Sequence, residues 1–428
     1  MFSSRLPWPC PSNDLARLIA RKRAEGRDIL DLTESNPTRV GLRYPADRIA
    51  AALAASGAAR YDPDPRGLPV ARGAVAAYYA RRGLQVSGER IRLTSSTSEA
   101  YSFLFKMLAD PGERILVPAP SYPLFEYLAA LESLRADSYP LVYDGRWAID
   151  LRAVERAVEV RRTPVRAIVV VNPNNPTGQA LREDERAALE RICAPRDIAI
   201  ISDEVFLDYP FGRAEPEGGA AVAPATDPAG RKGRGGGRIA SVLAATREGG
   251  RRRPLAFALG GMSKSCGLPQ LKLGWLVAAG PGERVREALD RLDLIADTYL
   301  SVGTPIQLAA AQLFVIGENV RRQIQRRIVG NRSRLTDSLA SGSLCAVLEA
   351  DGGWYAVLRL PAVVPEEELV LELLAEDDVL VHPGYFFDFP REAYLVLSLL
   401  PEPGVFAEGT GRILARVAGR CGSGGAGE

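Results

Sequence analysis

The chain has 428 residues and a mass of 46.1 kDa, room for two or three domains at ~150 residues each. A hydrophobic share of 46% and a charged share of 25% exclude a disordered, collagen-like or coiled-coil chain. Lys+Arg total 54 against 52 Asp+Glu, and a net charge of +2 gives no reason to expect nucleic acid or membrane as a partner.

The chain opens on polar and proline-rich residues with no apolar signal-peptide core, and no run approaches the ~18 apolar residues of a membrane span. A cytoplasmic protein is the expectation. From Ile91 onward, short β-like runs alternate with helical patterns. The runs are Arg114–Pro118, Arg166–Val171, Asp197–Ser202, Leu255–Leu259 and Leu273–Ala278, several apolar throughout, as in strands buried on both faces. Helical stretches such as Ser98–Leu108 and Glu183–Ile192 lie between them, the second opening on carboxylates suited to a helix N-terminus. This alternation predicts an α/β domain with a mostly parallel central sheet. Residues Gly212–Arg238, rich in Gly, Ala, Pro and Arg, cannot bury enough apolar surface to order themselves and read as a flexible insertion. A long helical stretch is expected from about Tyr299 through Gln325. A smaller α+β region follows, with strands at Trp354–Leu360 and Leu395–Leu399 and a helix at Glu366–Ala375.

Four loops at strand ends carry distinctive chemistry, and the ends of parallel strands are where such sheets hold ligands. Thr94–Ala100 places small hydroxyl residues at a helix start, suited either to a phosphate or to plain N-capping. Val171–Gly178 carries two Asn-Pro steps in a tight turn, more than a plain turn needs. Asp203 ends a buried strand, where it caps a helix or partners a cationic ring nitrogen. Gly260–Gly267 holds Lys264, one of only five lysines in a chain whose other 49 basic residues are arginines. Desolvation in such a loop lowers a lysine pKa toward a neutral, nucleophilic amine, with Lys272 a second cation or a phosphate contact.

In order and wording these loops resemble the fold-type-I pyridoxal-phosphate enzymes, specifically the class I/II aminotransferases, from about Asp31 to Arg412. NPNNPTG and the Ser263-Lys264 loop carry the resemblance; TSSTSEA and PSYPLF support it. It implies pyridoxal 5'-phosphate as cofactor, with Lys264 forming the Schiff base and shuttling the proton. It also places Asp203 on the pyridine nitrogen, Asn175 on the ring hydroxyl and Tyr122 against the ring face. Ser96, Thr97, Ser263 and Lys272 align with phosphate contacts, and Tyr61 with a tyrosine reaching the neighbouring subunit's phosphate, which implies a homodimer. Ser35 and Asn36 align with the substrate loop. The resemblance divides the chain into a large cofactor-binding domain over 46–304 and a small domain formed by 1–45 and 305–428; with one histidine and no CxxC, no metal is expected.

Several positions depart from the family pattern. Lys272 stands in place of an arginine, Phe206 in place of a tyrosine that donates to the ring hydroxyl, and Ser35 in place of a glycine. Val396 falls in the slot of the arginine that clamps the substrate carboxylate, with Arg359 or Arg391 as candidate replacements. The implied activity is transfer of an amino group from an amino acid to a 2-oxo acid. The alternatives are a lyase, decarboxylase or cyclase on a specialised amino acid, or a non-catalytic ligand-binding protein on the same fold. His382, the one histidine, reads as a strand-end turn residue or a substrate contact; Arg251–Arg253 as a solvated loop; Cys266 as packing.

Overall fold

A computed structural model describes residues 2–5, 13–54, 57–159, 162–212, 239–244, 253–339, 343–362 and 365–423. Nearly all of the expected insertion, and Arg251 and Arg252, lie outside the described residues.

Eight strands form the central sheet: β1 (Ile91–Thr94), β2 (Arg114–Ala119), β3 (Arg135–Tyr143), β4 (Trp147–Ile149), β5 (Val165–Val171), β6 (Ala199–Asp203), β7 (Ala256–Gly261) and β8 (Gly274–Ala279). Their order is β1-β8-β7-β6-β5-β2-β3-β4. The five strands β7, β6, β5, β2 and β3 run parallel, while β8 and β4 pair antiparallel with their neighbours. The expected mostly parallel sheet is present, and its apolar strands are explained by helices on both faces. Along β5 and β6, Ala167, Val169, Val171 and Ile201 pack with Tyr101, Phe105, Leu289 and Leu292 on one side. The alternate residues Ile168, Val170, Ile198 and Ile200 pack with Val154, Leu189 and Ile192 on the other. This is the period-two alternation of a strand with a core on each face.

The helical stretch expected from about Tyr299 through Gln325 is present but starts later and runs longer, and a separate helix that the sequence reading did not single out precedes it. Gly282–Tyr299 ends where Leu300 adopts a left-handed φ of 47°, its N–H returning to the Ala296 carbonyl at 2.8 Å. A new helix then runs from Thr304 to Ser338, with Pro305 in its first turn. Its first half buries Ile306, Leu313 and Phe314 beside the helix Pro69–Arg81, and its second half buries Val320, Ile324, Ile328 and Leu335 in the small body.

The small body holds an antiparallel sheet of β9 (Ala346–Val347), β10 (Tyr355–Arg359), β11 (His382–Pro383) and β12 (Tyr394–Ser398), in the order β9-β10-β12-β11. Helices Asp14–Ala24, Glu366–Asp377 and Pro403–Ser423 surround it. Leu30–Asp31 from the N-terminal segment pairs with Val379–Leu380, so both chain ends contribute. Among the described residues no single helix is long and apolar enough to cross a membrane.

Candidate active site

Strands β5, β6 and β7 are parallel, so their C-terminal ends open on one edge of the sheet. The Asn172–Gly178 loop, Asp203 and the Lys264 turn therefore emerge side by side. β7 delivers Lys264 through Gly260 and Gly261 into the short helix Met262–Ser265. A Cβ on Gly260 would lie 2.5 Å from the Trp275 indole, which accounts for a glycine there. The Tyr209 hydroxyl donates to the Lys264 carbonyl at 2.5 Å and fixes the turn.

The Lys264 amine lies 4.7 Å from the centre of the Trp354 ring and 5.8 Å from that of Phe206. Burial lowers its pKa to about 8, with the Asp203 carboxylate opposing the shift. Asp203 is buried at the end of β6, where it accepts from the Tyr101 hydroxyl and the Val205 N–H, both at 3.2 Å. Desolvation nonetheless raises its pKa to about 6, so it gains from any cationic partner brought against it. A low-polarity pocket thus faces a poised amine with a buried carboxyl.

Asn175 is 8% exposed, and its Oδ1 has no hydrogen-bond partner. Its neighbours hold the loop: the Thr177 hydroxyl donates to Asn174 Oδ1 at 2.9 Å, and Asn172 Nδ2 donates to the Ala240 carbonyl at 2.7 Å. The loop is thereby rigid, while the buried Asn175 oxygen is left for a ligand group that donates.

Sheet register brings together the residues expected around a phosphate. Thr94 pairs with Gly274, and Gly274 with Gly261. Ser96 and Ser263, two residues after Thr94 and Gly261, and Lys272, two residues before Gly274 on its antiparallel strand, therefore leave the sheet at one place. A Cβ on Gly274 would sit 2.9 Å from the Ser96 backbone, so the glycine allows this approach. Ser96 caps the helix Thr97–Leu108, its Oγ accepting from the Glu99 N–H at 3.2 Å. Lys272 is exposed, in a left-handed conformation with φ 51°.

The remaining expected residues lie outside this cluster. Tyr122 is 48% exposed at the pocket rim, and Tyr61 is 78% exposed on the loop before the helix Pro69–Arg81. Asn36 is occupied locally: its Oδ1 accepts from the Thr38 N–H at 3.0 Å and hydroxyl at 2.8 Å as cap of the turn Pro37–Arg39. Arg359 is exposed at the far end of β10, four residues or roughly 13 Å along the strand from Tyr355. Arg391 is exposed as well. Val396 is fully buried on β12 between Val357 and His382. Arg253, expected in a solvated loop, instead donates to the Val242 and Ala244 carbonyls and pairs with Glu190. Cys266 is buried, its thiol pKa pushed up to about 12 by desolvation, as suits packing.

Sequence reading missed Tyr101, Trp354 and Tyr355. The available signal for the last two was the Gly352-Gly353 pair before them. A Cβ on Gly352 would sit 2.5 Å from the Tyr209 carbonyl, and the Gly352 and Gly353 N–H groups donate to Gly178 and Tyr209. The two glycines lay β10 directly on the site loops.

The sequence profile of the family described as aminotransferase class I and II matches residues 27–401. The glutamate-pyruvate aminotransferase AlaA of Escherichia coli K12 is 24% identical over 388 residues, covering 89% of this chain and 88% of that protein. An alanine aminotransferase of Mycobacterium bovis is 25% identical over 394 residues, covering 89% and 84%. Among solved structures, an alanine aminotransferase from Pyrococcus furiosus superposes with a TM-score of 0.78 at 22% identity, covering 98% of this chain and all of the other.

Proposed function

This chain belongs to the class I and II aminotransferases, pyridoxal-phosphate-dependent transaminases, and from that premise we propose how its residues divide the work. The pocket fits the cofactor. The unpartnered buried oxygen of Asn175 suits the ring hydroxyl as donor, and the buried Asp203 carboxyl suits a protonated ring nitrogen. The converging Ser96, Thr97, Ser263 and Lys272 suit the phosphate, with Lys272 acting as a point charge. Tyr122 covers the ring from the rim. When bound, the cofactor supplies an aldehyde carbon for the amine and a ring that takes up an electron pair.

Lys264 is the anchoring amine and the base that takes the proton from the substrate Cα. Its pocket of Phe206 and Trp354 desolvates the amine and lowers its pKa to about 8, which eases its deprotonation to a base. Phe206 packs its ring edge on Trp354, 5.4 Å between centroids, and shapes the pocket without a polar contact. Ser35 and Asn36 shape the substrate entrance. The donor is an amino acid and the acceptor a 2-oxo acid, handled by a cytoplasmic homodimer in which Tyr61 reaches the neighbouring subunit's site. The large domain over 46–304 and the small domain of 1–45 and 305–428 enclose the crevice.

The observation that carries this reading is the half-buried, desolvated Lys264 amine interacting with the buried Asp203 carboxyl. Purified protein given pyridoxal phosphate should show a visible absorbance band that Lys264→Ala abolishes. With an amino acid alone, one 2-oxo acid should form per site without release of ammonia. Continued ammonia release without an added 2-oxo acid would identify a lyase and overturn the proposal.

A further inference from the structure

We infer that Tyr355, with Ser35 and Asn175, forms a neutral hydrogen-bonding cradle for the polar group on the substrate's reacting carbon, so that a carboxamide is accepted there as well as a carboxylate. The inference rests on the transaminase reading above and deepens it.

Three segments distant in sequence meet at the Tyr355 phenol. Tyr355 opens β10 and lies opposite Ser398 in β12. Ser398 holds the N-terminal loop, its N–H donating to the Leu32 carbonyl at 2.7 Å and its hydroxyl to the Glu34 carbonyl at 2.7 Å. That places Ser35 against the tyrosine. From the sheet edge comes Asn175, more than nine-tenths buried, whose amide N–H donates toward the phenol while its Oδ1 is kept for the cofactor ring hydroxyl. The third segment brings Phe206, whose ring stands 6.4 Å from that of Tyr355 and 5.8 Å from the Lys264 amine. The phenol is therefore one ring away from the base.

The charge in this corner is distinctive. Burial raises the Tyr355 pKa against hydrogen bonding from Ser35 and Asn175, so the phenol stays neutral. The adjacent stretch of the small sheet is apolar, with Val396 between Val357 and His382. Glu34 is the nearby carboxylate. It accepts from the Asn36 N–H at 2.8 Å and faces Arg39 at 3.9 Å, an arginine whose side chain is 73% exposed. The two hydroxyls each donate and accept and the amide N–H donates, whereas a guanidinium only donates. A guanidinium fork would favour a carboxylate strongly, because charge-assisted bonds are about twice as strong as neutral ones. The neutral cradle satisfies a carboxylate or a carboxamide on similar terms.

The test uses the holoenzyme, the amino acid it turns over best, and the carboxamide of that amino acid. The two should differ in kcat/KM by less than about tenfold. Tyr355→Phe keeps the ring packing but removes one hydrogen bond, worth about 1.4 kcal/mol or tenfold. It should raise KM for both substrates about tenfold with kcat nearly unchanged, the signature of lost ground-state binding. The visible cofactor band should stay where it is, and Ser35→Ala should show a smaller rise of the same kind. Discrimination above tenfold against the carboxamide overturns the inference, as does an unchanged KM in Tyr355→Phe with its band intact. Failure of wild-type protein to form the band at all would instead sink the transaminase reading.

Discussion

His382 shows how a single side chain sets a condition on the fold. It lies in β11 opposite Val396, and its ring meets the edge of Phe387 at 5.6 Å between centroids. Burial lowers its pKa to about 4, only partly opposed by Asp31. The native state therefore binds fewer protons than the unfolded chain between about pH 6.5 and 4, and stability falls as pH drops through that window. His382→Gln should remove this loss: its stability relative to wild type should rise by up to about 3 kcal/mol between pH 7 and 4, measured by urea denaturation. A pH-independent difference would show that the ring is not held neutral. The reading of His382 as a strand-end residue agrees with this setting among aromatic rings. Lys264 follows the same physics, and its isolation was legible from composition because nearly every other cation is an arginine.

At the scale of elements, the long helix Thr304–Ser338 braces the catalytic turn. Gly317 faces Cys266, two residues beyond Lys264, so closely that an added Cβ would stand 2.3 Å from the Cys266 Cβ and 2.8 Å from its Cα. Gly317→Ala must therefore push the helix and the turn apart. The expected cost is about 1–3 kcal/mol in thermal or chemical unfolding, with weakened pyridoxal-phosphate binding. Cys266→Gly in the same chain should restore much of both, and wild-type behaviour of Gly317→Ala would refute the bracing role. No local signal pointed to this contact, since a glycine inside a helical pattern reads only as a weakness of about 1 kcal/mol against alanine. The helix Gly282–Tyr299 went unremarked and the start of the next was set a few residues early, because Leu300, which ends the first with a left-handed φ of 47°, has no turn chemistry of its own.

For the whole molecule, the proposed homodimer makes a quantitative expectation. Sedimentation should give about twice the 46.1 kDa chain mass. If Tyr61 serves the neighbouring site, mixing Lys264→Ala and Tyr61→Ala proteins should regain activity that neither has alone, because one site of the mixed dimer keeps both residues. No recovery on subunit exchange would refute the shared site. The sequence by itself determined the alternation of strands and helices, the parallel sheet and the loops bearing Asn175, Asp203 and Lys264. Those signals are local, written in apolar runs that need two cores and in turns that need Asn, Pro and Gly. Only the tertiary structure decided what surrounds the amine. Tyr355, Trp354 and Tyr101 arrive from other strands and helices, and Asn36 proves to be occupied in capping its own turn. Which side chains meet in a pocket depends on register and packing between segments hundreds of residues apart, and no local pattern encodes that.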